Sequence, residues 1–443
     1  MSRKRMHLAA HFPGVNNTTV WADPESKSQI EFSSFEHLAR TAERGLFDFF
    51  FLAEGLRLRE HKGRIHDLDV VGRPESITVL SALAGVTEHL GLAATVNTTF
   101  NEPFELARRF ATLDHLSGGR AAWNVVTSSD ASTGENFRRG GFLDRADLPH
   151  SRLRSSGGTP ITRAAEFLEV ARELWGSWTP DRAPRPFAHR GRHFDIAGEF
   201  TVPRSPQGNP VVIQAGDSDE GREFAASAAD VVFARHSSLE EGRAFYADVK
   251  RRLAKYGRTP DDLKIMPGIG VVLGDTAAEA QEKAAEIRRQ QTSPQTALLT
   301  LEQIWGVDLS SYDPDGPLPD IDPVVDPALT HGRTRRGDTV AIAEKWAALS
   351  REKGLSIRQT VIEAGGRQLF IGTPEAVATE LDEFVQREAA DGFVLVPHLT
   401  PGGLDEFVDG VVPLLQERGA FRTAYRGSTL RSHLGLPEPV WKG

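Results

Sequence analysis

The sequence contains no cysteine. Disulfides, thiolate nucleophiles, cysteine zinc sites and iron–sulfur clusters are excluded together, which suits a cytoplasmic protein. Long apolar runs are missing too. No stretch approaches the roughly 20 apolar residues that cross a bilayer, so no membrane role is expected. The basic opening Met1-Ser2-Arg3-Lys4-Arg5-Met6 leads into no apolar h-region, so no secretory signal is expected. A basic surplus is also lacking: 52 Lys and Arg face 61 Asp and Glu, a formal net charge of -9. That balance argues against a general nucleic-acid binder. Nor does a G-x-G-x-x-G fingerprint follow the first apolar segment, which lowers the dinucleotide-fold option.

What is present is a long rhythm of strand and helix patterns. Strands read at Met6–His11, Phe47–Ala53, Leu90–Val96, Arg120–Val126, Val211–Gln214, Val231–Ala234, Ile265–Leu273 and Phe393–Val396. Helical patterns fall between them, among them Phe35–Arg44, Pro74–Glu88, Phe104–Leu116, Ala164–Trp175, Glu220–Ala228, Leu239–Tyr256, Ala277–Arg288 and Pro374–Arg387. Phe47–Ala53 is apolar on both faces, as a buried parallel strand should be. About eight such units in one run favour a closed (β/α)8 TIM barrel over an open doubly wound sheet. The 443 residues read as one barrel domain over 1–443, with irregular insertions near 130–162 and 290–337. Both insertions are expected to cover substrate, as long irregular segments in compact domains often do.

In a barrel of this kind the C-terminal strand ends line the active site. Here they carry His11, Glu54, Asn97, Thr98, Thr99, Asn124, Thr127, Ser128, Arg235, His236 and His398. The set is polar but mostly uncharged. It lacks the carboxylate pair of a glycosidase and a serine nucleophile elbow. It suits a heteroaromatic cofactor better than acid–base hydrolysis. His61, His66, Asp67 and Asp69 form a compact His/Asp cluster that suits either a divalent ion or a solvated loop. Trp123, Trp175 and Trp178 occupy apolar positions and are expected in the core.

The most informative stretch runs from Gln214 through Ala215, Gly216, Asp217 and Ser218 to Gly221. An apolar strand feeds it and a helix leaves it. Gly216 permits a close turn, Ser218 can cap the helix, and the first helical N–H groups can meet a phosphate. An ordinary strand-to-helix turn fits the same residues.

Three motifs together carry a family resemblance. They are Asn97-Thr98-Thr99-Phe100-Asn101-Glu102-Pro103-Phe104, then Leu116-Ser117-Gly118-Gly119-Arg120, then Trp123-Asn124-Val125-Val126-Thr127-Ser128. With Gln214-Ala215-Gly216-Asp217-Ser218, Asp308-Leu309-Ser310-Ser311-Tyr312-Asp313 and Tyr425-Arg426-Gly427-Ser428-Thr429-Leu430-Arg431, the whole chain resembles one group of bacterial luciferase-like monooxygenases. That group oxidises nitrilotriacetate, EDTA, dibenzothiophene sulfone, dimethyl sulfide and long-chain alkanes.

The resemblance implies a flavin-dependent monooxygenase. It would use reduced FMN from a separate NAD(P)H:flavin reductase, together with O2, to oxygenate a small organic substrate. A homodimer or homotetramer is the family expectation. By position, Ala215, Gly216, Asp217 and Ser218 would hold the FMN phosphate. Asn97, Thr98 and Thr127 would lie by the ring, and Glu54 would stand where the family usually has Asp. His11 and Asn124 are the candidate catalytic residues. His150 is the remaining FMN candidate, but it departs from the family pattern. The usual His-x-x-x-Tyr pair is replaced by His150 followed by Ser151-Arg152-Leu153-Arg154, with Ile161 about where the Tyr would stand. Loss of one hydroxyl contact to phosphate removes on the order of 1 kcal/mol. Two other readings stay open: a deazaflavin-dependent oxidoreductase on the same fold, and a non-catalytic flavin-binding paralogue. The acidity of Asp217, Asp219 and Glu220 counts against the first of these.

Overall fold

The computed structural model describes residues 3–13, 18–56, 60–61, 64–65, 73–127, 133, 136–137, 163–179, 181–216, 218–236, 238–324, 339–365 and 369–439. Eight parallel strands close into a barrel: β1 (His7–His11), β2 (Phe49–Leu52), β3 (Gly91–Asn97), β4 (Ala121–Val126), β5 (Val211–Ala215), β6 (Val231–Ala234), β7 (Lys264–Leu273) and β8 (Gly392–Leu395). Neighbours in sequence pair in space, from Ala9 opposite Phe49 round to Gly268 opposite Val394, and Leu8 opposite Phe393 closes the ring. An extra strand, Leu369–Gly372, adds to the far half of β7 outside the barrel, with Leu369 opposite Gly270.

The strands are apolar on both faces because both are covered. Ala9, Phe49, Phe51, Ala93, Ala122, Ile213, Val231, Met266 and Val394 form the inner cluster. The alternate residues, among them Leu8, Phe50, Leu92, Trp123, Val212 and Val232, pack in the outer core with the helices. Trp123 and Trp175 are buried there and Trp178 packs against the same core, as expected.

Helices α1 (Phe32–Arg44), α2 (Ser76–Ala84), α3 (Pro103–Leu116), α4 (Arg163–Gly176), α5 (Asp219–Ala228), α6 (Leu239–Leu253) and α7 (Ala277–Gln291) follow the strands in turn. Their ends obey local chemistry. Pro103 opens α3, and Gly118 and Gly119, both at positive φ, lie just past its end. Ser238 and Thr276 cap α6 and α7 through side-chain oxygens.

The insertion expected to be irregular from 290 to 337 is partly regular. It holds the end of α7 and a helix α8 (Pro294–Trp305). Ser293 caps α8, Pro294 occupies its first turn, and Ala297, Leu301 and Trp305 repeat at helical spacing. With α9 (Thr339–Lys353) and α10 (Ile357–Gly365) it builds a small separate core around Trp305, Trp346, Ile357 and Val361. The helices α11 (Pro374–Gln386) and α12 (Asp405–Glu417) flank β8.

The end of the chain closes the N-terminal mouth of the barrel. Leu430 and Leu434, from the short helix α13 (Leu430–His433) and just beyond it, join the inner cluster along with Leu436. Gly91 makes room for them: a Cβ there would lie 2.6 Å from a Leu430 methyl and 2.8 Å from the Asp48 carbonyl.

Around this closed end sits a ring of buried aspartates. Asp48, Asp230 and Asp391 each precede a strand and each accept the N–H of the second residue of a neighbouring strand: Leu8 at 2.9 Å, Val212 at 2.8 Å and Ile265 at 2.8 Å. Each also meets a cation, respectively Arg422, Arg431 at 3.2 Å and Lys250 at 2.8 Å. Burial pushes the Asp48 carboxyl up, but Arg422 and His7 more than offset it and hold it at about 2. Asp230 and Asp391 are lowered in the same way.

Candidate active site

The open end of the barrel is the C-terminal one. The described strand-end residues singled out from the sequence stand at or near the C-terminal ends of their strands. His11 closes β1; it is 5% exposed and its ring stacks on Phe51 at 5.4 Å. Phe51 in turn stacks on Phe233 at 5.4 Å, so an aromatic floor crosses the barrel below the mouth. Gly268 leaves room for it, since a Cβ there would lie 2.7 Å from the Phe233 ring.

Asn124 points into the barrel from β4. Its Nδ2 donates to Thr95 Oγ1 at 3.0 Å, while its buried Oδ1 has no hydrogen-bond partner among the described residues. A buried acceptor left in that state costs stability unless a ligand or water donates to it. A ring N–H is a suitable donor, so the site fits a heteroaromatic group on this count.

Glu54 and Asn97 are brought into direct contact. Asn97 donates to Glu54 Oε2 from its N–H at 3.2 Å and from Nδ2 at 2.9 Å. Burial pushes the Glu54 carboxyl up to about 7, against the pull of these two bonds and with a smaller push from Glu75. Thr98 is fully buried, and both its N–H and its hydroxyl point at the Val126 carbonyl, at 2.9 and 3.4 Å. Thr127 follows directly at the end of β4 and is partly buried. His398 follows β8; burial and nearby Lys283 lower its imidazole to about 4, so it is neutral at physiological pH.

Ala215 ends β5, opposite Phe233. Ser218 caps α5, its Oγ accepting from Gly221 N at 3.1 Å and keeping its own proton to donate. Gly221 packs close to this turn, since a Cβ there would lie 3.3 Å from the Gly216 carbonyl group and from Ser218 Oγ. Helix α5 begins with two acids, Asp219 and Glu220. The first is held by Arg252 of α6 at 2.5 Å, and the same guanidinium reaches Glu223 at 3.1 Å and Asp248 at 3.0 Å. Arg252 thus offsets the negative charge of Asp219 at the N-terminus of α5.

Asp217, His150 and Ser128 lie outside the described residues, as do the side chains of the His61, His66, Asp67 and Asp69 cluster. Among the described residues no group of three or more His, Asp or Glu is arranged to hold a metal ion. No described helix is long and apolar enough to cross a membrane.

Three features escaped the sequence reading. Arg252 sits two elements away from the loop it clamps. Arg163, at the start of α4, bonds the Thr98 carbonyl and lies over the Phe194 ring at 4.8 Å. Asn101 Nδ2 ties down the Asn97 carbonyl at 2.8 Å. Of these only Asn101 carried a signal, as the second Asn of an Asn-x-x-x-Asn turn.

A closed parallel barrel with a capped strand-to-helix loop after β5 and neutral polar groups at its mouth defines a (β/α)8 barrel. Sequence comparison makes the class specific. The model of the family described as luciferase-like monooxygenase matches residues 14–391. The N-acetyl-S-(2-succino)cysteine monooxygenase of Bacillus subtilis is 40% identical over 456 residues, covering 99% of this chain and 98% of its own. Component A of the nitrilotriacetate monooxygenase of Aminobacter aminovorans is 39% identical over 444 residues, covering 94% and 92%. Among solved structures, a riboflavin lyase crystallised with modified FMN and riboflavin superposes with a TM-score of 0.78 at 28% identity, covering 99% of this chain and 98% of its own. The chain belongs to the luciferase-like monooxygenase family.

Proposed function

We propose that this protein is the oxygenating component of a two-component system. It takes reduced FMN from a separate NAD(P)H:flavin reductase and, with O2, oxygenates a small organic substrate. The loop after β5 carries the reading: Ala215, Gly216 and the Ser218 cap lead into the N-terminus of α5, and an arginine clamp offsets the nearest acid. The component A relative and the flavin-bound neighbour support it.

Bound FMN would supply oxygen activation and oxygen-atom transfer, chemistry that no side chain here provides. The protein's share is positioning and exclusion of water. Ser218 Oγ–H and the first-turn N–H groups of α5 would hold the phosphate, together with Asp217 as part of the loop backbone. Asn124 Oδ1 would accept a ring N–H. Thr98 and Thr127 would border the ring, with His150 as a further contact. His11, on the aromatic floor, would face the reacting side. In the cell the partners are the reductase and, by family expectation, one or three further copies of the chain.

Anaerobic titration of the purified protein with reduced FMN, followed by admission of O2, tests this. Saturable binding is expected, with one oxygen atom of O2 appearing in an organic substrate and the other in water, where uncoupled oxidation of the flavin would put both into hydrogen peroxide. Failure to bind reduced FMN, with binding of a reduced deazaflavin instead, would replace the reading.

A further inference from the structure

Asn97 is the most thoroughly tethered polar residue at the barrel mouth. Its N–H and Nδ2 donate to Glu54, its Oδ1 accepts from Phe100 N at 2.8 Å, and its carbonyl accepts from Asn101 Nδ2 at 2.8 Å. It is 2% exposed. A side chain committed in this way is poorly placed to hold a ligand and well placed to fix a neighbour.

The neighbour is Glu54, on the residue pair after β2. Both of its bonds come from neutral donors and both fall on one oxygen, Oε2. Among the described residues no cation pairs with its carboxylate. Arg73 comes near but bonds the Glu54 carbonyl, at 3.5 Å. Among the described residues the charged group that acts on it is Glu75 at the start of α2, which repels it; Arg163 from α4 is turned to the neighbouring Thr98 carbonyl. A carboxyl group that is partly buried without a cation is more stable un-ionised.

We propose that Glu54 meets the cofactor ring as a neutral carboxylic acid with its proton on Oε1, and that Asn97 is the positioning residue that reserves Oε2 as acceptor. This rests on the flavin reading given above. A carboxylic acid donates from one oxygen and accepts on the other. Two donors already occupy Oε2, so Oε1 carries the proton. The reduced flavin ring is anionic once its N1 proton is lost, near neutral pH. A neutral Glu54 donates to such a ring, whereas an ionised Glu54 repels it. Glu54 is therefore a specificity-determining group that favours reduced over oxidised flavin, and binding at alkaline pH takes up a proton.

Two measurements test this on the full chain. The first is infrared difference spectroscopy of ligand-free protein between pH 6 and pH 8. Wild type should lose a carboxylic-acid carbonyl band that E54Q lacks, and N97A should keep the band to higher pH, because it removes a donor to the ionised form. The second is anaerobic affinity for reduced FMN from pH 7.5 to 9. It should fall about tenfold per pH unit in wild type. It should stay flat in E54Q, and oxidised FMN should show no such slope in either protein. Absence of the band, or equal slopes in wild type and E54Q, overturns the proposal while leaving the flavin site standing. No binding of reduced FMN by wild type at any pH overturns the flavin reading, and the proposal with it.

Discussion

The two ends of the barrel treat buried charge in opposite ways. At the closed end Asp48, Asp230 and Asp391 each bond a strand N–H and each meet a cation, and all three are lowered. At the open end, among the described residues, Glu54 has only amide donors and is raised to about 7, and Asn124 Oδ1 has no partner. One end is paired by the protein's own cations, and in the proposed function the other is completed by a bound cofactor. Barrels concentrate stability at the first face and chemistry at the second. Here the division is visible in the hydrogen bonds alone.

Breaking the closed end should have the largest effect. Among the described residues, Arg422→Met leaves the fully buried Asp48 without its guanidinium partner and with only the His7 imidazole beside it. It should cost about 3–5 kcal/mol in urea unfolding at pH 7. The depressed Asp48 contributes stability above its ordinary value of 3.8, and this is lost as pH falls through about 2. The variant should therefore lose that part of the wild-type acid transition.

The open end should show the reverse sign. Glu54 is raised from 4.5 to about 7, so the folded protein is penalised as pH rises through that window. Glu54→Gln should match wild type at pH 5 and exceed it at pH 8, by up to about 3 kcal/mol, in chemical denaturation. A variant less stable than wild type at both values would show that the carboxylate is needed for folding.

Arg252→Ala sharpens the comparison further, because its effect should appear in binding. Freeing Asp219 beside the phosphate loop should weaken FMN about five- to tenfold, on the order of 1 kcal/mol. Riboflavin, which has no phosphate, should be unaffected. Equal losses for the two ligands would point to general loosening of α5. Ser218→Ala should have the smallest effect, a cap worth about 1 kcal/mol in thermal stability.

All eight barrel strands were legible, most to within a residue or two, because strands covered on both faces read as short apolar runs between helical periods. The α8–α10 insert was less so. Its Pro and Asp content reads as loop, and the apolar spacing of Ala297, Leu301 and Trp305 is short enough to be masked by it. The Ser218 cap between β5 and α5 was legible because strand, glycine, cap and helix are contiguous. The bond between Glu54 and Asn97 was not, since 43 positions separate them and only the parallel pairing of β2 with β3 brings them together. The aspartates of Phe47-Asp48-Phe49, Ala229-Asp230-Val231 and Ala390-Asp391-Gly392 stood in plain view just before strands, but nothing local reveals that each reaches across to a neighbour.

The phosphate loop is tested most directly by titrating wild type and Ser218→Asp, anaerobically and side by side, with reduced FMN and reduced riboflavin. Wild type should bind FMN far more tightly than riboflavin, and Ser218→Asp should lose FMN binding because a carboxylate then faces the phosphate. FMN affinity unchanged by that substitution would contradict the assignment of the loop after β5 as the cofactor's anchor.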